Sequence, residues 1–266
     1  MGLLDDITRK KRALDAARPL PPAAVRELAN LFELELTTAC LALEGGLLEP
    51  EEILEVLAKG VVLRNRPQKD QLLAANHLQA LELTARLCEQ AATVVTERTV
   101  MAFHKVLYAG IDPVAGRYRD GIPDDAADGS VPDPAKARVS MSALSGWLRR
   151  VEMGHETAVE AHYRLLMVRP FEQGNMAVAM LLGNLILNRA GYPPVILRDE
   201  LLDTYFEVVD RARTVGDKGP FRDFLLGLLN ESLDLCLQAA ARAAAARQPA
   251  EAVTVTVDGA PPGRMG

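Results

Sequence analysis

The chain has only three cysteines, Cys40, Cys88 and Cys236, far apart and odd in number. That argues against a disulfide framework and against a cysteine-based zinc site, and it fits a reducing, cytoplasmic setting. Each is read as a small core residue. Long runs of positive charge are missing too. The net charge is −6 and the one basic cluster, Arg9 to Arg12, is short, so nucleic acid is not an expected partner. That cluster reads as a solvated helix face or a ragged start. The N-terminus is charged and lacks an apolar stretch of the secretory kind. The most apolar run, Met176 to Leu187, is too short to span a bilayer and carries Gly183 and Asn184. No membrane partner is expected, and the run reads as a buried central helix.

What is present is enough to build a full core. Of the 266 residues, 49% are hydrophobic and 25% charged. Most of the chain has helical periodicity with few β-branched runs. Pro19, Pro21 and Pro22 separate the N-terminal segment from a helix that starts near Ala24 and stops at Gly45-Gly46. Further helices are expected from Pro50 to Ala58, Lys69 to Glu89 and Thr96 to Tyr108. Between Gly110 and Pro134 the chain turns rich in Gly, Pro and Asp, the composition of a long loop with a short hairpin, and long loops in compact domains often carry function. Helices resume over Lys136–Val151, Glu156–Met167, Asn175–Gly191, Arg198–Arg213 and Pro220–Ala246. Residues 247–266 have no core-forming pattern and read as a flexible tail.

The segment Val168-Arg169-Pro170-Phe171-Glu172-Gln173-Gly174-Asn175-Met176-Ala177 is similar to the signature of the Fic (Fido) family, His-Pro-Phe-x-Asp/Glu-Gly-Asn-Gly-Arg-x-x-Arg. Its context agrees: a helix precedes it, and an apolar helix follows that ends in Asn188-Arg189-Ala190-Gly191-Tyr192-Pro193-Pro194. Cys40 and Glu44-Gly45 resemble the family's inhibitory motif, Ser/Thr-x-x-x-Glu-Gly/Asn. Gly116-Arg117-Tyr118-Arg119 resembles the element that enters the family's flap, and Val131-Pro132 the segment that leaves it. The resemblance implies a mainly α fold, a Fic-type helical bundle with a short β-hairpin flap. It implies an N-terminal extension over 1–29, N-terminal helices with the inhibitory-type motif over 30–95, and the Fic-like core over 96–240.

Set against that signature, the chain is degenerate. Fic chemistry moves AMP from a nucleotide, and its histidine takes the proton of the target hydroxyl. Arg169 stands at that position, and a guanidinium stays protonated. Gln173 replaces the acid that holds the metal, and an amide oxygen ligates a hard cation without charge. Met176 replaces the glycine that lets backbone approach an anion at a helix N-terminus. Ala177 and Met180 replace the two arginines that clamp phosphates. Pro170, Phe171, Gly174 and Asn175 are kept. Glu44, whose partner in the family is the second arginine, meets Met180 at that position, so it is expected to pair elsewhere, with Arg169 one candidate, or to cap local structure.

Candidate ligand-binding residues are therefore Arg169, Glu172, Gln173, Gly174, Asn175, Glu44, Arg117 and Arg119, with no metal site. Arg117 and Arg119 either brace the flap or meet an anion. His104 is expected to be structural, as are His155 and His162, which lie seven apart and lack zinc-protease spacing. Trp147 is expected to anchor packing. Three functions remain open. The first is a binding or regulatory pseudoenzyme that holds a protein or peptide at the flap by strand addition. The second is a repurposed enzyme that takes a small anionic ligand on Arg169. The third is a protein adenylyltransferase, the one reading that calls for ATP and Mg²⁺; otherwise no cofactor is expected. The family resemblance also implies a homodimer.

Overall fold

A computed structural model describes residues 2–60, 62–90, 93–123 and 131–246. Its helices are α1 (Leu3–Ala16), α2 (Pro22–Leu43), α3 (Pro50–Lys59), α4 (Gln68–Glu89), α5 (Glu97–Leu107), α6 (Pro134–Leu148), α7 (His155–Val168), α8 (Asn175–Arg189), α9 (Leu202–Thr214) and α10 (Gly219–Ala245). A 3₁₀ turn, Asp199–Leu201, leads into α9. Proline at the first helical position opens α2, α3 and α6, where its missing N–H is no loss. The side chain of Asp133 accepts from the backbone N–H of Lys136 and so caps α6.

The centre of the bundle is α8. Every residue from Ala177 to Leu187 is buried, so the helix is apolar on all sides, as a core helix must be. Helix α7 runs along it, with α4, α5 and α2 on its other faces. Gly183 faces α7, and an added Cβ there would meet the carbonyl of Ala158 and His162 at 3.7 Å, an ordinary contact distance. Asn184, also buried, is satisfied by exchanging bonds with the backbone of Val195.

The N-terminal segment is not a ragged start. It forms α1, which packs on α10 through Ile7 and Leu14, both buried. Within the basic cluster, Lys10 is only 9% exposed and donates to the carbonyl of Asn230 and the carboxylate of Asp234 on α10. The cluster is thus part interface and part solvated face. Helix α10 has the length and composition to cross a membrane, but half of its most apolar window is buried in the bundle.

The expected β-hairpin is corrected. No strand occurs among the described residues, and the described parts of the segment between α5 and α6 are turns and irregular backbone. The physical reason lies in Arg119. Its guanidinium donates to the carbonyls of Gly121 at 2.5 Å and Pro132 at 2.5 Å, which joins the two stems of the loop through one side chain instead of a backbone ladder. Residues 124–130, part of the Gly110–Pro134 segment in which the hairpin was expected, and the tail over 247–266 lie outside the described residues.

Candidate functional site

The signature loop joins α7 to α8 and is tied down almost carbonyl by carbonyl. Arg119 donates from Nε to the carbonyl of Arg169 at 2.7 Å, and its backbone N–H donates to the carbonyl of Pro170 at 2.9 Å. The Asn175 side chain closes the turn, accepting from the N–H of Phe171 at 3.0 Å and donating back to its carbonyl at 2.9 Å. Arg119 is 2% exposed, and Arg117 is exposed. The structure therefore places Arg119 behind the loop and Arg117 in solvent.

His104 holds the end of the loop. The N–H of Gly116 donates to its Nδ1 at 2.8 Å, which leaves the ring proton on Nε2, and Nε2 donates to the carbonyl of Gln173 at 3.1 Å. Burial lowers its pKa to about 4, so the ring is neutral and keeps this donor–acceptor pattern. It is stacked between Phe171, at 3.9 Å between ring centroids, and Tyr108, at 4.8 Å. Sequence reasoning marked His104 as structural; the missed partner is Tyr108, which is fully buried and presses its ring against Gly174.

Gly174 precedes α8 with φ +78, the left-handed region that glycine enters without a Cβ penalty. There the start of α8 meets Glu44, at the end of α2. One carboxylate oxygen of Glu44 accepts from the Tyr108 hydroxyl at 2.6 Å and from the N–H of Gly174 at 3.2 Å. The backbone of Ala177 also stabilises the carboxylate. Burial raises the Glu44 pKa, opposed by Tyr108, Ala177, Lys69 and Gly174 in that order. The helix start, with its unpaired N–H groups and positive dipole end, is thus partnered by a carboxylate of the same chain. Of the roles expected for Glu44, this is capping. Burial and Glu44 together also push the Cys40 thiol up, so it stays protonated.

The two positions that the resemblance aligns with the family's clamp arginines lie in the core. Ala177 and Met180 are 2% and 8% exposed, and with Cys40 and His77 they line a cavity of about 20 Å³, room for roughly one water. Gln173 is half-buried and Glu172 exposed. Among the described residues, no three His, Cys, Asp or Glu side chains converge on one point. His155 and His162 each meet a tyrosine, Tyr192 at 3.2 Å and Tyr205 at 2.8 Å. Trp147 lies beneath the guanidinium of Arg164 at 4.3 Å.

On its outer side the loop borders an open cleft of about 280 Å³ between Arg169 and Met176 and the face of α9 that carries Phe206, Val209 and Arg213. Arg169 itself ends α7 in the left-handed region, φ 44, alone among the non-glycine residues described.

Residues 94–187 match the model of the Fic/DOC family. The chain is 30% identical over 188 residues to the protein adenylyltransferase Fic of Culex quinquefasciatus, covering 67% of this chain and 37% of that protein. It is 32% identical over 164 residues to the protein of the same name from Nematostella vectensis, covering 60% of this chain and 38% of the other. The chain therefore spans well under half the length of these curated relatives. Among solved structures, a Fic domain-containing signaling protein from Bacteroides thetaiotaomicron superposes with a TM-score of 0.79 at 23% identity, over 89% of this chain and 98% of that one. Fic-1 (aa134–508) from C. elegans gives 0.80 at 23%, over 90% and 73%. At these identities the superpositions speak for the fold alone.

Proposed function

Because this chain belongs to the Fic/DOC family, we propose that it retains the family's frame as a binding or regulatory module and does not transfer AMP. The observation that carries this reading is the identity and setting of Arg169. It stands where the resemblance places the general base, in a loop whose backbone is pinned from behind by Arg119. A residue so held cannot be exchanged for a neighbouring base by a small shift, and a guanidinium does not accept the proton. Loss of a general base alone costs about 10²–10⁴ in rate. Glu44 seated at the start of α8 supports the same reading, since a nucleotide phosphate would have to displace it. So does the burial of Ala177 and Met180, which offer a phosphate no cation.

In this reading the loop between α5 and α6 receives a protein or peptide segment, and two copies of the chain associate. The conventional alternative, protein adenylylation, is favoured by the names of the relatives. Incubation with labelled ATP and Mg²⁺ or Mn²⁺ separates the two. The expected result is no label on the protein itself or on lysate proteins, and none after Glu44→Gly, because removing that carboxylate restores neither base nor clamp. Metal-dependent labelling that Arg169→Ala abolishes refutes the proposal.

A further inference from the structure

We propose that the cavity between α2, α4 and α8 is a site for one soft monovalent metal ion, Cu(I) in type, held by Cys40, His77 and Met180. The inference goes beyond the reading above and holds whether or not AMP is transferred. Each ligand comes from a different helix: Cys40 from α2, His77 from α4 and Met180 from α8. All three line the same cavity of about 20 Å³, and all are buried. The three helices pack on one another pairwise, so the bundle sets the backbone beneath the ligands. Two of the three residues are departures from the family signature. Cys40 stands at the Ser/Thr position of the inhibitory motif, and Met180 at the second clamp arginine. Both departures place sulfur against the same small space.

His77 supplies what apolar packing leaves unexplained. It is 4% exposed, and its Nδ1 lies 2.9 Å from Oγ1 of Thr37. Among the described residues the ring makes no other hydrogen bond, so Nε2 is a buried polar atom without a partner. In the proposed site Nδ1–H donates to Thr37, which fixes the ring and leaves the Nε2 lone pair for the ion. The donor set then selects the metal. A thiolate, a thioether and one imidazole suit Cu(I), whereas Zn²⁺ takes thiolate, imidazole and carboxylate, and Mg²⁺ and Ca²⁺ take oxygen. Charge selects in the same sense. On binding, the Cys40 S–H bond breaks, its proton passes to solvent and the sulfur electron pair bonds to the ion. One thiolate and one monovalent cation make a neutral centre, and a divalent ion would leave a net positive charge on these ligands in the core. The ion enters and stays as Cu(I), so no electron is exchanged. Met180 is unbranched and adaptable, which lets its sulfur close onto the ion.

The test is an anaerobic titration of the full chain with Cu(I) in competition with a coloured Cu(I) chelator. The parent should hold one ion per chain against the chelator, and Zn²⁺ should not displace it. Thr37→Val, which removes the partner of His77 and leaves all three ligands, should weaken binding about 10–100-fold. Met180→Leu keeps the volume and loses the sulfur, and Cys40→Ser loses the thiol; each should weaken binding by at least as much. Cys88→Ser, half-buried and outside the cavity, should change nothing. X-ray absorption at the copper edge should show two sulfurs and one nitrogen around the ion. Cu(I) should raise the melting temperature of the parent and leave that of Met180→Leu unchanged, while the metal-free Met180→Leu variant melts within a few degrees of the parent, which separates loss of the site from loss of fold. No binding tighter than that of Cys40→Ser, full binding by Met180→Leu, binding that is lost in Cys88→Ser, or preference for Zn²⁺ overturns the proposal.

Discussion

Gly174→Ala and Gly45→Ala separate two costs that usually arrive together. Both glycines have φ above +70°, so an alanine at either pays the left-handed penalty, about 1–2 kcal/mol. Their surroundings differ. A Cβ at Gly45 meets nothing within 4 Å, whereas one at Gly174 would lie 2.2 Å from Cε2 and 2.8 Å from Cζ of Tyr108. The tyrosine cannot step aside freely. It is fully buried, stacked on His104, and its hydroxyl donates to Glu44, which in turn holds the start of α8. Overpacking of this kind costs about 1–3 kcal/mol beyond the backbone penalty. Gly174→Ala should therefore lose about 2–5 kcal/mol and Gly45→Ala only about 1–2 kcal/mol. Urea denaturation reads the difference as a shift of the midpoint at unchanged slope. If the two variants lose equal stability, Tyr108 does not brace the loop and the account of the site's rigidity is wrong.

Two further outcomes follow from buried groups. Burial lowers the pKa of His77 and His162 to about 3 and that of His104 to about 4, below the ordinary 6.5, so the unfolded chain binds more protons than the folded one as pH falls below 6.5. The stability these rings contribute is fully present above pH 6.5 and is lost as the pH drops toward 4, each at up to about 1.4 kcal/mol per pH unit. Denaturation midpoints measured from pH 7 to pH 4.5 should fall steeply and fall less in His162→Gln; a flat profile contradicts the assignment. Gly183→Ala should stabilise by about 0.5–1 kcal/mol, because the residue is helical and its nearest neighbours sit at ordinary contact distance. A melting temperature below the parent's would mean that α7 and α8 lie closer than described.

Helix order was legible because periodicity and stop signals are local. Pro22, Pro50, Gly45-Gly46 and Gly191 mark boundaries within a residue or two of where the helices begin and end. Helix α1 escaped because its large apolar positions are few, Leu3, Leu4, Ile7 and Leu14, and most of the rest are charged; only the facing surface of α10 gives Lys10 a partner. The hairpin was inferred from loop composition and from resemblance, and the described stems show a different solution. The motif positions Arg169, Gln173, Ala177 and Met180 could be named from sequence. Their consequences could not, because Tyr108 lies 66 residues before Gly174 and Glu44 lies 130 before it, and contacts of that separation leave no periodic trace.

The clamp formed by Arg119 binds only main-chain carbonyls, at Gly121, Pro132, Val168 and Arg169. Every amino acid supplies that group, so the latch is blind to the identity of the residues it fastens. An insertion between Gly121 and Pro132 should therefore leave the α7–α8 turn in place, since closing a longer loop adds only about 0.6 kcal/mol per doubling. A scaffold of this design offers an insertion port for foreign peptide, with the anchorage carried by one arginine outside the inserted stretch.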